Sequence, residues 1–371
     1  MLDFRHRIDE DLALLPPLPR YAAGLFKALE TSREHVGSFL SWVEKTKTEQ
    51  DVRDRIASRC KAFGRNKGAD YTITYRGEAA GVVGLNNIDT RHRLGAIGYW
   101  LADAYSGRGL MTRSAEAVVK QAHAGPGLER VEIRCSVENK RSRAVIERLG
   151  LPLQATARDG DPLPDGRITD HLIFASVRDR SNEASDRIEF SVATERDDVF
   201  LSIQQPHHLR ELFRLIDRER DGLATFNPFA SQVRRPRDLR KKMRQSWDAM
   251  AEGGPGVQCV IQLGGKIVGG IGVHGFSDVL RAAEFGYWLA ERARGHGIMS
   301  AALRALERYA WSIDPRLVRL QLRVAKDNAK SVALAERLGY RREGELPREY
   351  RTLGKPRDVY LFGKTREDRD E

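Results

Sequence analysis

Cysteines and long apolar runs are scarce in this sequence of 371 residues. Its three cysteines, Cys60, Cys135 and Cys259, are far apart and form no CxxC pair, which argues against a disulfide framework and a zinc site. No HxxxH pair occurs either, so we expect no bound metal. No apolar run approaches the roughly 18 residues that a membrane span needs, and the start MLDFRHRIDEDLALL is too charged for a signal peptide. We therefore expect a cytoplasmic protein with no membrane partner.

Acidic residues are outnumbered by basic ones, 52 against 63, and the net charge is +11. Such a balance favours anionic partners, either nucleic acid or a phosphate-rich cofactor. The densest basic run, RRPRDLRKKMR at 234–244, contains no aromatic residue that could stack on a base. We interpret it as the solvated face of a helix, and we expect no direct contact with nucleic acid.

The chain contains the same phrase twice. GYWLADAYSGRGLM begins at Gly98 and GYWLAERARGHGIM begins at Gly286, and ENKRSRAVIERLG at 138–150 recurs as DNAKSVALAERLG at 327–339. A repeat of this length is far longer than the roughly 20 to 50 residues of a solenoid unit, so each copy is predicted to be a complete domain. We place the domains at 1–178 and 188–371, with a polar linker at 179–187.

The hydrophobic patterns of the two halves predict the same order of elements. The order is a helical region, a hairpin, a strand that leads into the repeated motif at Gly98 or Gly286, a helix, a strand, a helix and a closing strand. In the first half these are residues 19–62, 71–75 with 79–85, 96–101, 111–123, 131–137, 142–149 and 171–176. In the second half they are residues 205–250, 257–263 with 266–273, 284–289, 299–311, 317–324, 331–338 and 359–362. The fold class is therefore α/β (α+β), with helices flanking a sheet in each half.

The repeated phrase predicts an anion site. A strand, a short loop with Gly107 and Gly109 or Gly295 and Gly297, and then a helix place backbone N–H groups at a helix N-terminus, where the dipole favours negative charge. The glycines let the backbone approach a phosphate closely. The loop lacks the GK[ST] of a nucleotide-hydrolysing phosphate loop and the third glycine of a dinucleotide fingerprint, so both of those activities lose support.

The full pattern of strand, GxG, helix, strand, NxxS, helix and RLG resembles the GNAT superfamily of acetyl-CoA-dependent N-acetyltransferases. GYWL, GRGLMT, ENKRSRAVIERLG and SREHVGSFLSWV look like the branch that acetylates the N-terminal amines of ribosomal proteins. The resemblance covers nearly the whole chain, once per half. It implies two tandem folds, each a mixed, mostly antiparallel twisted sheet flanked by helices, with acetyl-CoA as cofactor and an amine as acceptor. It also implies that any contact with nucleic acid is indirect, through the ribosome.

The resemblance also implies cofactor-binding residues in each half. The loop amides would carry the pyrophosphate, and the end of the preceding strand would line the pantetheine arm and supply an amide that polarises the thioester carbonyl. In the first half these residues are Leu101, Ala102, Ser106, Gly107, Arg108, Gly109, Leu110, Met111 and Asn139. In the second half they are Leu289, Ala290, Arg292, Arg294, Gly295, His296, Gly297, Ile298, Met299 and Asn328.

Candidate catalytic residues differ between the halves. Glu284 matches the general-base position of several relatives, whereas the first half has Ala96 there. Arg292 matches the arginine that opens the family's loop motif, and the first half has Ala104 at that position. By these two differences the second half looks the more complete catalyst. Glu349 falls near a carboxylate that the branch uses towards its substrate.

Two serines match a hydroxyl that protonates the leaving thiolate in the family. These are Ser142 and Ser331, which follow Asn139 and Asn328. Asn and Ser are also good helix caps, so a capping role is an equal alternative. Trp42, in the stretch SREHVGSFLSWV, is interpreted as a core residue, since aromatic side chains at helical spacing usually pack.

Three functions are compatible with the sequence. The leading hypothesis is acetyl transfer to a protein N-terminal amine, because an α-amine with a pKa of about 7.7 to 8.0 needs less help from a base than a lysine does. The second keeps the fold and changes the acceptor to a small amine, such as an antibiotic, a polyamine or an aminoacyl nucleotide. The third is an acyl-CoA-binding scaffold without catalysis. A further hypothesis is that the two copies pack as an intramolecular pseudo-dimer.

Overall fold

The computed structural model describes residues 3–160, 162–179, 187–277 and 281–367. These residues form two compact units. One contains Arg5–Phe190 with Ala251–Gly253, and the other contains Ser191–Met250 and Gly254–Glu371 with the residues that precede Arg5. Most of the predicted linker, residues 180–186, lies outside the described residues.

The first domain is built on one mixed sheet with the spatial order β1-β2-β3-β4-β5-β6-β8-β7. Its strands are β1 (His6–Arg7), β2 (Leu12–Leu15), β3 (Ala69–Tyr75), β4 (Glu78–Asp89), β5 (Leu94–Leu101), β6 (Arg130–Ser136), β7 (Leu153–Ala157) and β8 (His171–Val177). All neighbours run antiparallel except β5 and β6. Its helices are α1 (Ala22–Glu30), α2 (Arg33–Gly37), α3 (Glu49–Gly64), α4 (Leu110–Ala124) and α5 (Lys140–Arg148).

The second domain repeats this order strand for strand, β9-β10-β11-β12-β13-β14-β16-β15, with β13 and β14 parallel. Its strands are β9 (Ser191–Ala193), β10 (Val199–Ile203), β11 (Val257–Leu263), β12 (Lys266–Ser277), β13 (Ala282–Leu289), β14 (Arg319–Ala325), β15 (Arg341–Thr352) and β16 (Lys355–Thr365). Its helices are α6 (Leu209–Arg218), α7 (Arg220–Ala224), α8 (Pro228–Gln232), α9 (Pro236–Ala251), α10 (Ile298–Ile313) and α11 (Ala329–Arg337). The predicted fold class is confirmed.

Helix α3 shows why these segments fold as they do. Thr48 caps its first turn in a capping box: the Thr48 hydroxyl accepts from the Asp51 amide, and the Asp51 carboxylate accepts from the Thr48 amide. Buried residues recur at helical spacing along one face, Val52, Ile56 and Cys60 among them. That face packs on the sheet, and the opposite face carries the charges.

The basic run at 234–244 lies mainly on α9. Leu239 and Met243 are buried against the domain core, whereas Arg240, Lys241 and Arg244 are exposed. The interpretation as a solvated helix face is confirmed. Across the described ranges, no helix has both the length and the apolar character that crossing a membrane requires.

Candidate functional site

Both sheets open at the same point. The parallel pair β5 and β6 is in register from Leu94 to Ile97, after which β5 continues to Leu101 while β6 diverges. In the second domain β13 and β14 pair only as far as Glu284, and β13 continues to Leu289. Each domain therefore has a wedge-shaped gap between two strands whose backbone groups face into it.

Alternation along the strand decides which amides face the gap. The Ala102 amide donates to the Ala80 carbonyl at 2.8 Å, so every second residue before it points towards β4. The amides of Tyr99 and Leu101 then point into the gap, and so do those of Tyr287 and Leu289. The expectation named both Leu101 and Ala102 for the polarising amide; the Leu101 amide faces the gap, and the expectation is corrected for Ala102 alone.

The same correction applies to Ala290, whose amide donates to the Val268 carbonyl at 2.9 Å. Both alanines are nevertheless buried next to the gap. Leu289 is tied to the loop as well, because Arg294 Nε donates to its carbonyl oxygen at 3.1 Å.

The glycine loops have the backbone geometry that the predicted anion sites require. Gly107 and Gly109 have φ of +77° and +70°, and Gly295 and Gly297 have +83° and +73°, a region that favours glycine. Helices α4 and α10 begin directly after Gly109 and Gly297, with no side chain capping either end. Their first-turn amides are therefore left to an outside acceptor, and the dipole favours an anion there.

The space in front of these loops is open. A Cβ added at Gly107, Gly109 or Gly295 would meet no atom within 4 Å, and one at Gly297 would meet only Arg196 Nη1, at 3.9 Å. The amides of Ser106 and Arg294 are already used, since they donate to the carbonyls of the short turns before the loops at 3.0 and 3.1 Å. The amides that face the opening therefore begin one residue later than expected.

The other predicted loop residues divide by burial. Leu110, Met111, Ile298 and Met299 are buried, so their side chains anchor the helix and only their amides face the loop. The cationic and polar members lie outside: Arg108 stacks 5.6 Å from the Tyr75 ring centroid, the His296 carbonyl accepts from Arg196 at 2.7 Å, and Arg292 is exposed.

The NxxS motifs act as helix caps. The Asn139 carboxamide accepts from the Ser142 amide at 3.0 Å, and Asn328 accepts from Ser331 at 3.3 Å. Asn139 and Asn328 are therefore the helix caps, whereas Ser142 and Ser331 supply only the amides that are capped. This arrangement leaves the serine hydroxyls available for another role, because the cap uses only the serine amides.

Two tyrosines of the repeated phrase were missed by the sequence reasoning. Tyr99 Oη lies 3.0 Å from Ser142 Oγ, and burial raises the pKa of Tyr99 well above its usual range. Burial also raises the pKa of Tyr287 to about 12, with a smaller opposite effect from Ser331. Both phenols are therefore neutral hydroxyls beside the serines. The occurrence of GYWL in both halves was the sequence signal that could have identified these tyrosines.

The predicted carboxylates of the second domain meet at one arginine. Arg323 forms an ion pair with Glu284, and its Nε lies 3.4 Å from Glu349 Oε1. Gln321 Nε2 donates to Glu284 Oε2 at 3.3 Å. The structure thus brings the two catalytic candidates together at Arg323.

His274 is a further functional candidate in this cluster. It lies directly opposite Glu284 in the register of β12 and β13, and its Nε2 would be 3.1 Å from a Cβ on Gly286. His274 is an exposed residue of β12, and partial desolvation of its ring together with the positive charge of Arg323 lowers its pKa, which favours the neutral imidazole. The sequence could not show this pairing, because it depends on strand register.

The first domain has a cavity beside Asn86, the residue at the register position of His274. It has a volume of about 500 Å³ and lies between α1, α3 and the face of β4 and β5. Trp42 and Trp100 form part of its wall, with ring centroids 6.3 Å apart. Trp42 therefore lines a cavity as well as packing on its neighbours, which extends its interpretation as a core residue.

This arrangement defines the class of protein. Each domain is a mixed sheet with a wedge between two parallel strands, followed by a helix that begins directly after a glycine and has no side-chain cap. The chain matches the acetyltransferase (GNAT) domain model twice, at residues 11–152 and 199–341, and it belongs to this family.

Similar proteins match one domain at a time. The putative ribosomal N-acetyltransferase YdaF of Bacillus subtilis is 28% identical over 158 residues, which are 42% of this chain and 86% of YdaF. The ribosomal-protein-serine acetyltransferase of Escherichia coli is 23% identical over 173 residues, 47% of this chain and 96% of that protein.

Solved structures show the same half-chain coverage. RimL, a ribosomal L7/L12 α-N-protein acetyltransferase in complex with coenzyme A, is 22% identical, covers 47% of this chain and 97% of its own, and has a TM-score of 0.45. The microcin C7 self-immunity acetyltransferase MccE, in complex with acetyl-CoA and AMP, is 26% identical, with coverages of 46% and 94% and a TM-score of 0.44.

Proposed function

We propose that this chain transfers an acetyl group from acetyl-CoA to a primary amine, and that the favoured acceptor is the N-terminal α-amine of a protein. The observation that supports this most strongly is the pairing of an open wedge with an uncapped helix N-terminus in each domain. When bound, acetyl-CoA supplies the acetyl group activated as a thioester.

The residues of each wedge fit such a cofactor. Amides from Gly107 to Met111, and from Gly295 to Met299, would hold the pyrophosphate through the partial positive charge at the helix N-terminus. The amides that face the gap belong to Tyr99 and Leu101 in the first domain and to Tyr287 and Leu289 in the second. They would donate to the amide carbonyls of the cofactor's pantetheine arm, as the edge of a strand does towards an added strand. One of them would donate to the thioester carbonyl and stabilise the negative charge that develops there.

Proton transfer has candidates on both faces of the strand. In the second domain the neutral His274 would take the proton of the attacking amine, while Glu284 would stabilise the imidazolium that forms. On the other face Ser142, hydrogen-bonded to Tyr99, would give a proton to the leaving sulfur, and Ser331 would do so in the second domain.

A small-molecule amine is the second candidate acceptor. It is favoured by the cavity of about 500 Å³ in the first domain, a volume within the range of about 300 to 1,000 Å³ that is usual for small ligands. The first domain has no carboxylate at the Glu284 position, since Ala96 stands there.

A calorimetric titration of acetyl-CoA tests the cofactor sites. Gly107→Glu and Gly297→Glu each place a carboxylate against one proposed pyrophosphate site, so each is expected to abolish one of two binding events. Gly150→Glu and Gly339→Glu are matched controls, because these glycines have φ of +70° and +79° and open surroundings, and they lie at helix C-termini. Unchanged binding in both loop variants would contradict the proposal.

A further inference from the structure

Helix α9 of the second domain carries a group of exposed cationic side chains. They are Arg237, Arg240, Lys241 and Arg244, and we call these four residues the basic strip. Arg237, Lys241 and Arg244 are four and then three residues apart, so they share one face of the helix over about 10 Å. The strip therefore presents several positive charges in one direction, towards solvent.

Most of the basic strip is not neutralised within the described part of the chain. The side chains of Arg240, Lys241 and Arg244 form no ion pair and no hydrogen bond there. Arg237 Nε lies 3.9 Å from Asp238 Oδ1, and the other oxygen of that carboxylate accepts from two backbone amides before the helix. Like charges at these spacings repel one another, so an anion that approaches the strip is attracted by several cations at once.

The first domain shows that the shared fold does not need these charges. Its corresponding helix, α3, also has 16 residues and also precedes the first strand of a hairpin. Helix α9 has five basic and two acidic residues, whereas α3 has four basic and three acidic ones. Every cation of α3 has a contact: Arg53 with Glu49, Arg59 with Asp70, Lys61 with Glu252, and Arg55 with the Trp42 ring. Unpaired cations at this place are therefore a property of the second domain alone.

The basic strip lies near the wedge of the second domain. On its inner side α9 packs through Leu239 and Met243 into a buried cluster that also contains Ala290, the residue after strand β13. A helix with its side chains is about 10 to 12 Å across, and an extended chain advances about 3.3 Å per residue. A peptide whose N-terminus lies in the wedge therefore reaches the strip after about four residues.

We propose that the basic strip docks an acidic segment of the acceptor protein, which begins about five residues after the N-terminal amine that the second domain acetylates. This inference rests on the proposed acetyl transfer. Side chains on one side of an extended chain are roughly 7 Å apart, so two or three carboxylates span the strip. Nucleic acid fits less well, because the run 234–244 has no aromatic residue on which a base could stack.

Two peptides with amidated C-termini test this inference. Ser-Ala-Ser-Ala-Glu-Glu-Glu-Glu and Ser-Ala-Ser-Ala-Gln-Gln-Gln-Gln share an N-terminus and differ in the charge of the second half. We would measure kcat/KM by release of free coenzyme A in the Gly107→Glu background, which is designed to silence the first cofactor site. The acidic peptide is expected to be favoured about threefold to tenfold at low salt, through KM with kcat unchanged. The ratio should fall towards one at about 1 M salt, where the Debye length is about 3 Å.

Paired variants locate the effect. Lys241→Gln with Arg244→Gln is expected to bring the ratio of the two peptides to about one and to leave kcat/KM of the neutral peptide unchanged. Lys45→Gln with Lys47→Gln removes the same charge from exposed positions of the first domain and is the matched control. This control is expected to keep the preference. An equal loss in both paired variants would assign the preference to net charge and overturn the docking site.

Binding measurements separate the docking site from acetyl transfer. Fluorescence anisotropy of labelled peptides without acetyl-CoA gives Kd. Tighter binding of the acidic peptide that depends on Lys241 and Arg244, without transfer to either peptide, supports the docking site and refutes the proposed function. Equal kcat/KM for the two peptides, with transfer intact, overturns the docking site alone. A short RNA duplex that binds through Lys241 and Arg244 more tightly than the acidic peptide would also overturn it and assign the strip to nucleic acid.

Discussion

The two domains differ most clearly at a single register position. In the second domain His274 faces Glu284 across β12 and β13, whereas in the first domain Asn86 faces Ala96 across β4 and β5. Residues that face each other on adjacent antiparallel strands have neighbouring side chains, so one pair can share a proton and the other cannot. Duplication has preserved the backbone and changed the chemistry.

The pH dependence of the second domain should report His274. An imidazole accepts a proton only when it is neutral, and partial desolvation together with the charge of Arg323 lowers the pKa of His274 below 6.5. In the Gly107→Glu background, kcat/KM expressed per concentration of neutral amine should therefore hold as the pH falls towards 6.5 and decline below it. His274→Asn, which installs the first domain's residue, should remove this decline and reduce kcat/KM by about 100-fold.

The exposed His92, which is ion-paired with Asp89 in the first domain, provides the control. His92→Asn should leave the profile of the second domain unchanged. An acid limb that persists at the same pH in His274→Asn would assign it to another group, and Glu284→Gln would then be examined for its loss.

At the level of elements, the sequence predicted the helices and strands whose hydrophobic periodicity and turn residues lie close together in the chain. The hairpins β3–β4 and β11–β12, the helices that follow the glycine loops and the NxxS helices all lie where their periodicity placed them. Strand β2, which lies between β1 and β3, was missed: it is a run of four buried residues, LALL, which cannot be distinguished from buried helix by periodicity.

Strand β15 was missed for a different reason. It has the sequence RREGELPREYRT, mostly exposed and charged, and its register with β16 shifts around Pro347. Proline in a strand interior usually argues against that assignment, and only pairing with β16 makes it a strand. The ion pairing of Glu349 with Arg323 depends on β15 and was equally hidden.

The capping box of α3 gives a prediction at this scale. Thr48→Ala removes the hydroxyl that accepts from the Asp51 amide, and it should lower the local free energy of opening of the first turn of α3 by about 1 kcal/mol. Hydrogen exchange of the α3 amides measures this directly. Thr48→Ser keeps the hydroxyl and should restore protection; equal loss in both variants would mean that the cap is not the cause.

At the scale of the whole molecule, one chain holds two versions of the same site. The first domain offers a cavity of about 500 Å³, and the second offers a His274, Glu284 and Arg323 cluster. By the catalytic residues of the sequence alone, the second domain is the more complete catalyst. The cavity is an argument for the first domain as a catalyst, because selection of an acceptor needs an enclosed site as much as it needs a base.

If both domains are catalysts, they should divide their acceptors between them. Gly107→Glu should abolish acetylation of small-molecule amines and leave acetylation of peptide N-termini at about half of the wild-type rate or more, while Gly297→Glu should do the reverse. Mass spectrometry of a mixed acceptor pool, with Gly150→Glu and Gly339→Glu as controls, measures both activities together. Loss of all acetylation in only one of the loop variants would instead mean that a single domain performs the reaction and that the other only binds.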